Sequence, residues 1–220
     1  FFPRLALIDL SSITDNILSK TPLSLLFWIG LPVIFLASRP FPKLRRVMLV
    51  AAAGLMGMIL EIIFILYYQT KHGVLYQDIG VLLTSFMAGL ALGALIIDKQ
   101  MLRPVGNQRI SRWYGAGLLA GFCLLCTVTK IIMAEHYSAG LFQISALLVV
   151  TGFLVAGIFA HTSLYGIEDQ QKVISPLYAA DLIGGCIGSL LGSLILIPLA
   201  GMDTSALVML LFAVFSFILA

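Results

Sequence analysis

Residues 177–201 read LYAADLIGGCIGSLLGSLILIPLAG. The stretch has the apolar length of a membrane span, since a helix needs about 20 residues to cross a hydrocarbon core. Yet it carries an acid, Asp181, and glycines at Gly184, Gly188 and Gly192, with Ser189 and Ser193 on the adjoining ridge. Small residues four apart share one helix face and let a neighbouring backbone approach closely. The pattern predicts a central helix, the most enclosed of its bundle, serving as the packing axis.

The rest of the chain agrees with a membrane environment. Of 220 residues, 60% are hydrophobic and 10% charged, with a mean hydropathy of +1.08; a soluble domain is about a quarter charged. The apolar runs are too continuous for the alternating strands of a barrel, so the expected class is all-α, a polytopic helix bundle in a lipid bilayer. The net charge of +3 is ordinary for a protein whose cytoplasmic loops collect Lys and Arg, and it does not suggest nucleic acid. Cys123, Cys126 and Cys186 all lie in apolar runs, where small packing residues are the simpler reading than a disulfide framework, despite the C-x-x-C spacing of the first two.

Two regions are expected. Residues 1–22 mix apolar and polar side chains and read as an interfacial helix or linker. Residues 23–220 form the transmembrane helical domain, with seven expected spans at about 23–38, 47–68, 75–97, 113–134, 138–160, 176–199 and 203–220. The connections after the first, third and fifth spans hold nine Lys and Arg, from Arg39 to Lys172, against four on the other side. The positive-inside bias therefore places the N-terminus outside and the C-terminus in the cytoplasm of a cell (inner) membrane protein. Trp113 and Tyr114 suit an aromatic belt at the inner surface. Only 98–112, with Pro104, Gly106 and Asn107, is long enough to be more than a turn.

The third and sixth spans share a pattern. One opens with Leu75-Tyr76-Gln77-Asp78 and carries Gly89 and Gly93; the other opens with Leu177-Tyr178, followed by Asp181, Gly184 and Gly188. They run in opposite directions, so spans one to three and four to six suggest a 3+3 inverted repeat plus one, with chance likeness of two glycine-rich spans as the alternative.

Glu61 is the main anomaly, because an ionised carboxylate near the bilayer centre costs ~2.5–3.5 kcal/mol. A carboxyl fixing helix packing by hydrogen bonds and a proton or cation site are both open readings. At ~1.5 Å rise per residue, Asp181 lies more than 10 Å from Glu61 in depth, so a direct carboxylate pair is not expected. Asp181 sits near the inner surface, where bonding to its own helix start is the simpler role and a second, inner binding site the other. Thr84, Ser85, Thr127, Lys130, Gln143, Ser145 and Ser189 are expected at the level of Glu61. Lys130 is a candidate counter-ion for Glu61, although snorkelling to the surface is simpler. Tyr67, Tyr68, Gln69, Tyr76 and Gln77 would ring the outer mouth, either as a belt or as binding groups. His72, His136 and His161 include no mid-membrane pair for haem, and the chain has no nucleotide loop, nucleophile elbow or dense metal set. The expectation is no cofactor, no metal and no catalytic residue in this chain.

Gly57, Glu61, Tyr67, Tyr68, Gln69, Gly73, Tyr76, Ile79, Gly80, Phe86, Met87, Gly89, Leu90, Gly93 and Ala94, together with Leu177–Asp181, Gly184 and Gly188, resemble the membrane domain of the spermidine synthase-like fusion proteins. In that family transporter-like helices are joined to a soluble aminopropyltransferase-like domain. The likeness covers about 45–200. It implies that this chain is the membrane part of a longer protein, with any aminopropyl transfer in a fused or associated domain, since no nucleotide loop occurs here. Gly93–Lys99 (GALIIDK) is also loosely similar to the inner-loop signature of major facilitator transporters, but differs in spacing and lacks its glycine–arginine ending. Two functions follow as expectations. One is transport or channelling of a small polar or cationic molecule, with Glu61, Asp181, Tyr68, Gln69, Gln77, Ser85, Ser189 and Lys130 as binding groups. The other is a non-catalytic anchor or structural subunit of a larger membrane complex, one with redox subunits included, whose Gly89, Gly93, Gly184, Gly188 and Gly192 serve packing alone.

Overall fold

The computed structural model describes residues 42–73, 76–101, 108–134, 139–164 and 170–219; the expected segments 1–22 and 23–38 lie outside these. The described residues are helical throughout, with no strand among them: α1 (Pro42–His72), α2 (Tyr76–Met101), α3 (Gln108–Ala134), α4 (Leu141–Leu164), α5 (Gln170–Leu191), a π-helical continuation Gly192–Ala200, and α6 (Gly201–Leu219). Five stretches are long and apolar enough to cross a membrane: Leu44–His72, Tyr76–Ile97, Tyr114–Ile132, Leu141–Ser163 and Ile174–Leu199. The expected seventh span corresponds to α6, whose apolar part Gly201–Phe217 is shorter. The expected loop at 98–112 is narrower, because α2 runs on to Met101 and α3 begins at Gln108.

Side-chain contacts fix the direction of each helix. At one end Arg45 of α1, Gly115 of α3, His161 of α4 and Phe217 of α6 surround a common cavity; this is the basic end. At the opposite end Tyr68 of α1 meets Asp78 of α2, and Lys130 of α3 meets Asp203 of α6. Consecutive helices thus alternate in direction.

Two helix pairs carry the packing, each made of parallel neighbours. In the first, α5 lies on α1: a Cβ added at Gly184 would collide with the Ala51 carbonyl, and one at Gly188 would come within 2.5 Å of the Leu55 carbonyl oxygen. From the other side, a Cβ at Gly54 would fall 2.7 Å from both the carbonyl and Oδ1 oxygens of Asp181. In the second pair, α2 lies on α4. Here Gly89 and Gly93 press against the Val149 and Phe153 carbonyls, and Gly152 presses against Phe86 and Leu90 backbone. The pairs meet where Gly57 of α1 receives the Val155 side chain of α4, 2.5 Å from an added Cβ. Of the five glycines read from sequence as packing residues, Gly89, Gly93, Gly184 and Gly188 lie against a neighbouring backbone; Gly192 is looser, with Ile59 and Ile62 side chains 3.3 and 3.5 Å from its added Cβ.

The centre of the bundle is not α5. In α1, 61% of the apolar stretch is buried and in α4 50%, against 22% in α2 and in α5 with its continuation. The expectation of a central, most enclosed α5 is overturned because its glycine ladder is one-sided. Leu182, Ile183, Ile187, Leu190 and Leu194 on its other faces are exposed, as a lipid-facing surface requires. Val50, Ile59, Leu60 and Ile63 of α1 and Ile144 and Leu148 of α4 supply the fully buried core instead.

Candidate functional site

Glu61 is 4% exposed. It follows Gly57, which faces α4, by four residues and Gly54, which faces α5, by seven. Those spacings keep it on the side of α1 between the two neighbours. No described residue hydrogen-bonds or ion-pairs with its carboxyl group. Its level on the neighbouring helix is marked by Gly192, whose added Cβ would touch Ile59 and Ile62 on either side of it. At Gly192 the α-helix widens into the π segment Gly192–Ala200. Pro198 explains the change of pitch in part, since it has no N–H for an α-type bond. The segment closes when the Gly201 N–H donates to the Ile197 carbonyl, with Gly201 at φ 78°, a conformation that favours glycine.

Ser189, expected level with Glu61, falls three residues before Gly192, about 4.5 Å along the axis at 1.5 Å per residue. The shift arises because the glycine–carbonyl contacts, not the ends of the apolar windows, set how α5 slides along α1. Its hydroxyl donates to the Cys186 carbonyl at 2.9 Å. Thr84, Ser85 and Thr127 are likewise turned to their own helices. Thr84 bonds the Gly80 and Val81 carbonyls, Ser85 the Val81 carbonyl and Thr127 the Cys123 carbonyl. Gln143 accepts from the Gly140 N–H at the start of α4, and Ser145 Oγ is buried without a partner. These contacts do not gather the polar groups around Glu61.

Asp181 is half-buried, and its Oδ1 is enclosed with no hydrogen-bond partner. It rests on the backbone at Gly54, seven residues before Glu61, or about 10 Å along α1. The two acids are separate, as their depths imply.

Lys130 pairs with neither Glu61 nor open solvent alone. Its Nζ lies 2.6 Å from Asp203 Oδ1 and 3.3 Å from the Asp203 carbonyl oxygen. The side chains are 27% and 61% exposed, so this is a surface ion pair joining α3 to the first turn of α6. At the same end of the bundle the Tyr68 hydroxyl donates to Asp78 Oδ2 at 2.7 Å. The His72 ring stands edge-on to Tyr68, centroids 4.7 Å apart, and its Nε2 lies 3.2 Å from the Ala139 carbonyl oxygen. Tyr68 is therefore a buried tie between α1 and α2; Gln69 is half-buried and Gln77 exposed beside it. Sequence reasoning missed Asp78, His72 and Asp203 as partners. Asp78 stands in the first turn of α2, where an acid also complements the helix dipole, which was the available signal.

The cysteines are free. Cys126 is buried and Cys123 half-buried, but Cys186 is exposed on α5 rather than packed. Among the described residues no group of three or more His, Cys, Asp or Glu could hold a metal ion. At the basic end, a cavity of about 510 Å³ is lined by Arg45, Arg46, His161 and Thr162 and by apolar side chains of α1, α3, α4 and α6. Comparison with family models, curated proteins and solved structures finds no match.

Proposed function

We propose that this chain is the membrane domain of a spermidine synthase-like protein and moves or channels a small polar or cationic molecule, with Glu61 as its proton or cation site. The supporting observation is Glu61 itself: 4% exposed, unpartnered among the described residues and level with the start of a π segment. An ionisable group held at that depth without a partner is costly, and such groups mark ion and substrate pathways. π-helical turns also concentrate at functional sites.

The helix contacts support the inverted repeat as part of this reading. An offset of 98 from α1 to α4 and of 95 from α2 to α5 converts one set of contacts into the other. Gly54 against Asp181 and Gly185 becomes Gly152 against Phe86 and Leu90; Gly184 and Gly188 against Ala51 and Leu55 become Gly89 and Gly93 against Val149 and Phe153. Gly57 and Val155 exchange places, as residues beside a two-fold axis would. In this register Leu177 matches Leu82, both fully buried, rather than Leu75. α3 would then match the 23–38 stretch. The basic end faces the cytoplasm in this reading, following the nine-to-four distribution of Lys and Arg.

A second reading, a non-catalytic anchor for a soluble domain or partner subunits, is favoured by the way Gly89, Gly93, Gly184 and Gly188 are spent on packing within the chain. Carbodiimide labelling in proteoliposomes separates the two. The transport reading expects Glu61 to be modified and to be protected by a linear polyamine or another small cation. An unreactive Glu61, or one labelled equally with and without cations, supports the anchor.

A further inference from the structure

The cavity at the basic end has a chemistry of its own, far from Glu61. We infer that it binds a phosphate-bearing anionic amphiphile, with the phosphate at Arg45, Arg46 and His161 and the apolar chain along Leu49, Leu118 and Phe217. Three observations carry this. First, the Arg45 Nε–H is buried and has no hydrogen-bond partner, and a buried guanidinium donor without an acceptor is unfavourable. A phosphate supplies that acceptor, in the forked geometry that guanidinium groups bind best. Second, the described lining holds two arginines and a histidine and no carboxylate. Gly115 keeps the wall beside His161 open, since a Cβ there would lie 2.8 Å from the ring Cε1. Third, the cavity measures about 510 Å³ and most of its lining is apolar. That volume is in the range of small-molecule sites, and the apolar wall would be wasted on inorganic phosphate.

Its position agrees. Arg45 opens the apolar run of α1, and Phe217 ends that of α6, so the cavity lies at the membrane surface, where basic pockets between spans take phospholipid head groups. The inference needs only the bilayer location of the helices and is independent of any role for Glu61.

The test uses the full chain purified in non-ionic detergent with phosphatidylglycerol and phosphatidylcholine at equal mole fraction, read by native mass spectrometry, alongside a thermal-shift titration with inorganic phosphate. The expected result is a preference for the anionic lipid of about tenfold, equivalent to 1.4 kcal/mol. Arg45→Gln should abolish it, Arg45→Lys retain part of it, and Lys71→Gln at the opposite end leave it unchanged. Stabilisation by inorganic phosphate that Arg45→Gln removes, without any lipid preference, keeps the phosphate chemistry but overturns the amphiphile. Equal retention of both lipids with no effect of phosphate overturns the inference altogether. Should Arg45→Gln fail to fold, the comparison of the two lipids on the unmodified chain decides by itself.

Discussion

The pairs α1–α5 and α2–α4 are packed alike and filled differently. Both bring glycines onto the carbonyls of a parallel neighbour, and in both the inner helix is about half buried or more while the outer one faces lipid. In the register of the proposed repeat, however, the first pair carries Glu61 and Asp181 where the second carries Phe159 and Phe86. The packing scheme therefore works without either acid. Their presence on one side only points to a role other than holding helices together, and the two pairs provide an internal control for testing it.

Breaking the scheme itself should have the largest effect. Gly184→Ala and Gly89→Ala each force a methyl into a neighbouring carbonyl, and each should cost about 1–3 kcal/mol or more, as overpacking does. Gly185→Ala meets only the flexible Met58 side chain at 3.3 Å and should be far milder. Unfolding in mixed micelles measures all three; a costless Gly89→Ala beside a severe Gly184→Ala would separate the two pairs.

Asp181→Leu sharpens the contrast, because it gives the first pair an apolar residue where the second has Phe86. The buried, unpartnered Oδ1 disappears, and relief of such a group is worth about 1–3 kcal/mol, so stability should hold or rise. A clear loss would instead make Asp181 a packing residue.

Smaller effects belong to the end opposite the cavity. Tyr68→Phe removes the 2.7 Å bond to Asp78 and should cost about 1.5–3 kcal/mol if that carboxylate is charged, and about 1 kcal/mol otherwise. Lys130→Gln breaks an exposed ion pair and should cost only about 0.2–1 kcal/mol, less at high salt. Thermal melts at low and high ionic strength read both.

The membrane class and the packing role of the glycines were legible because each follows from composition or from spacing along one helix. The enclosure of α5 was misread from its glycine face alone; Leu182, Ile183, Ile187 and Leu190 on the remaining faces already described a lipid-exposed helix. The level of Glu61 depended on how two helices slide past one another, which backbone contact decides and hydropathy does not. The Lys130–Asp203 pair joins residues 73 apart, and the basic cavity draws on four helices, so neither has a local signature. Pro198 was a visible sign of irregular backbone near Glu61, but not of a π segment nine residues long.

The central claim is that Glu61 works on a permeant species. Initial uptake of a labelled polyamine into proteoliposomes measures it most directly, comparing the unmodified chain with Glu61→Gln and Glu61→Asp at matched incorporation and thermal stability. A role for Glu61 on the permeant species requires a loss of about tenfold or more for Glu61→Gln, equivalent to at least 1.4 kcal/mol, and partial recovery in Glu61→Asp. Uptake by Glu61→Gln equal to that of the unmodified chain would contradict it.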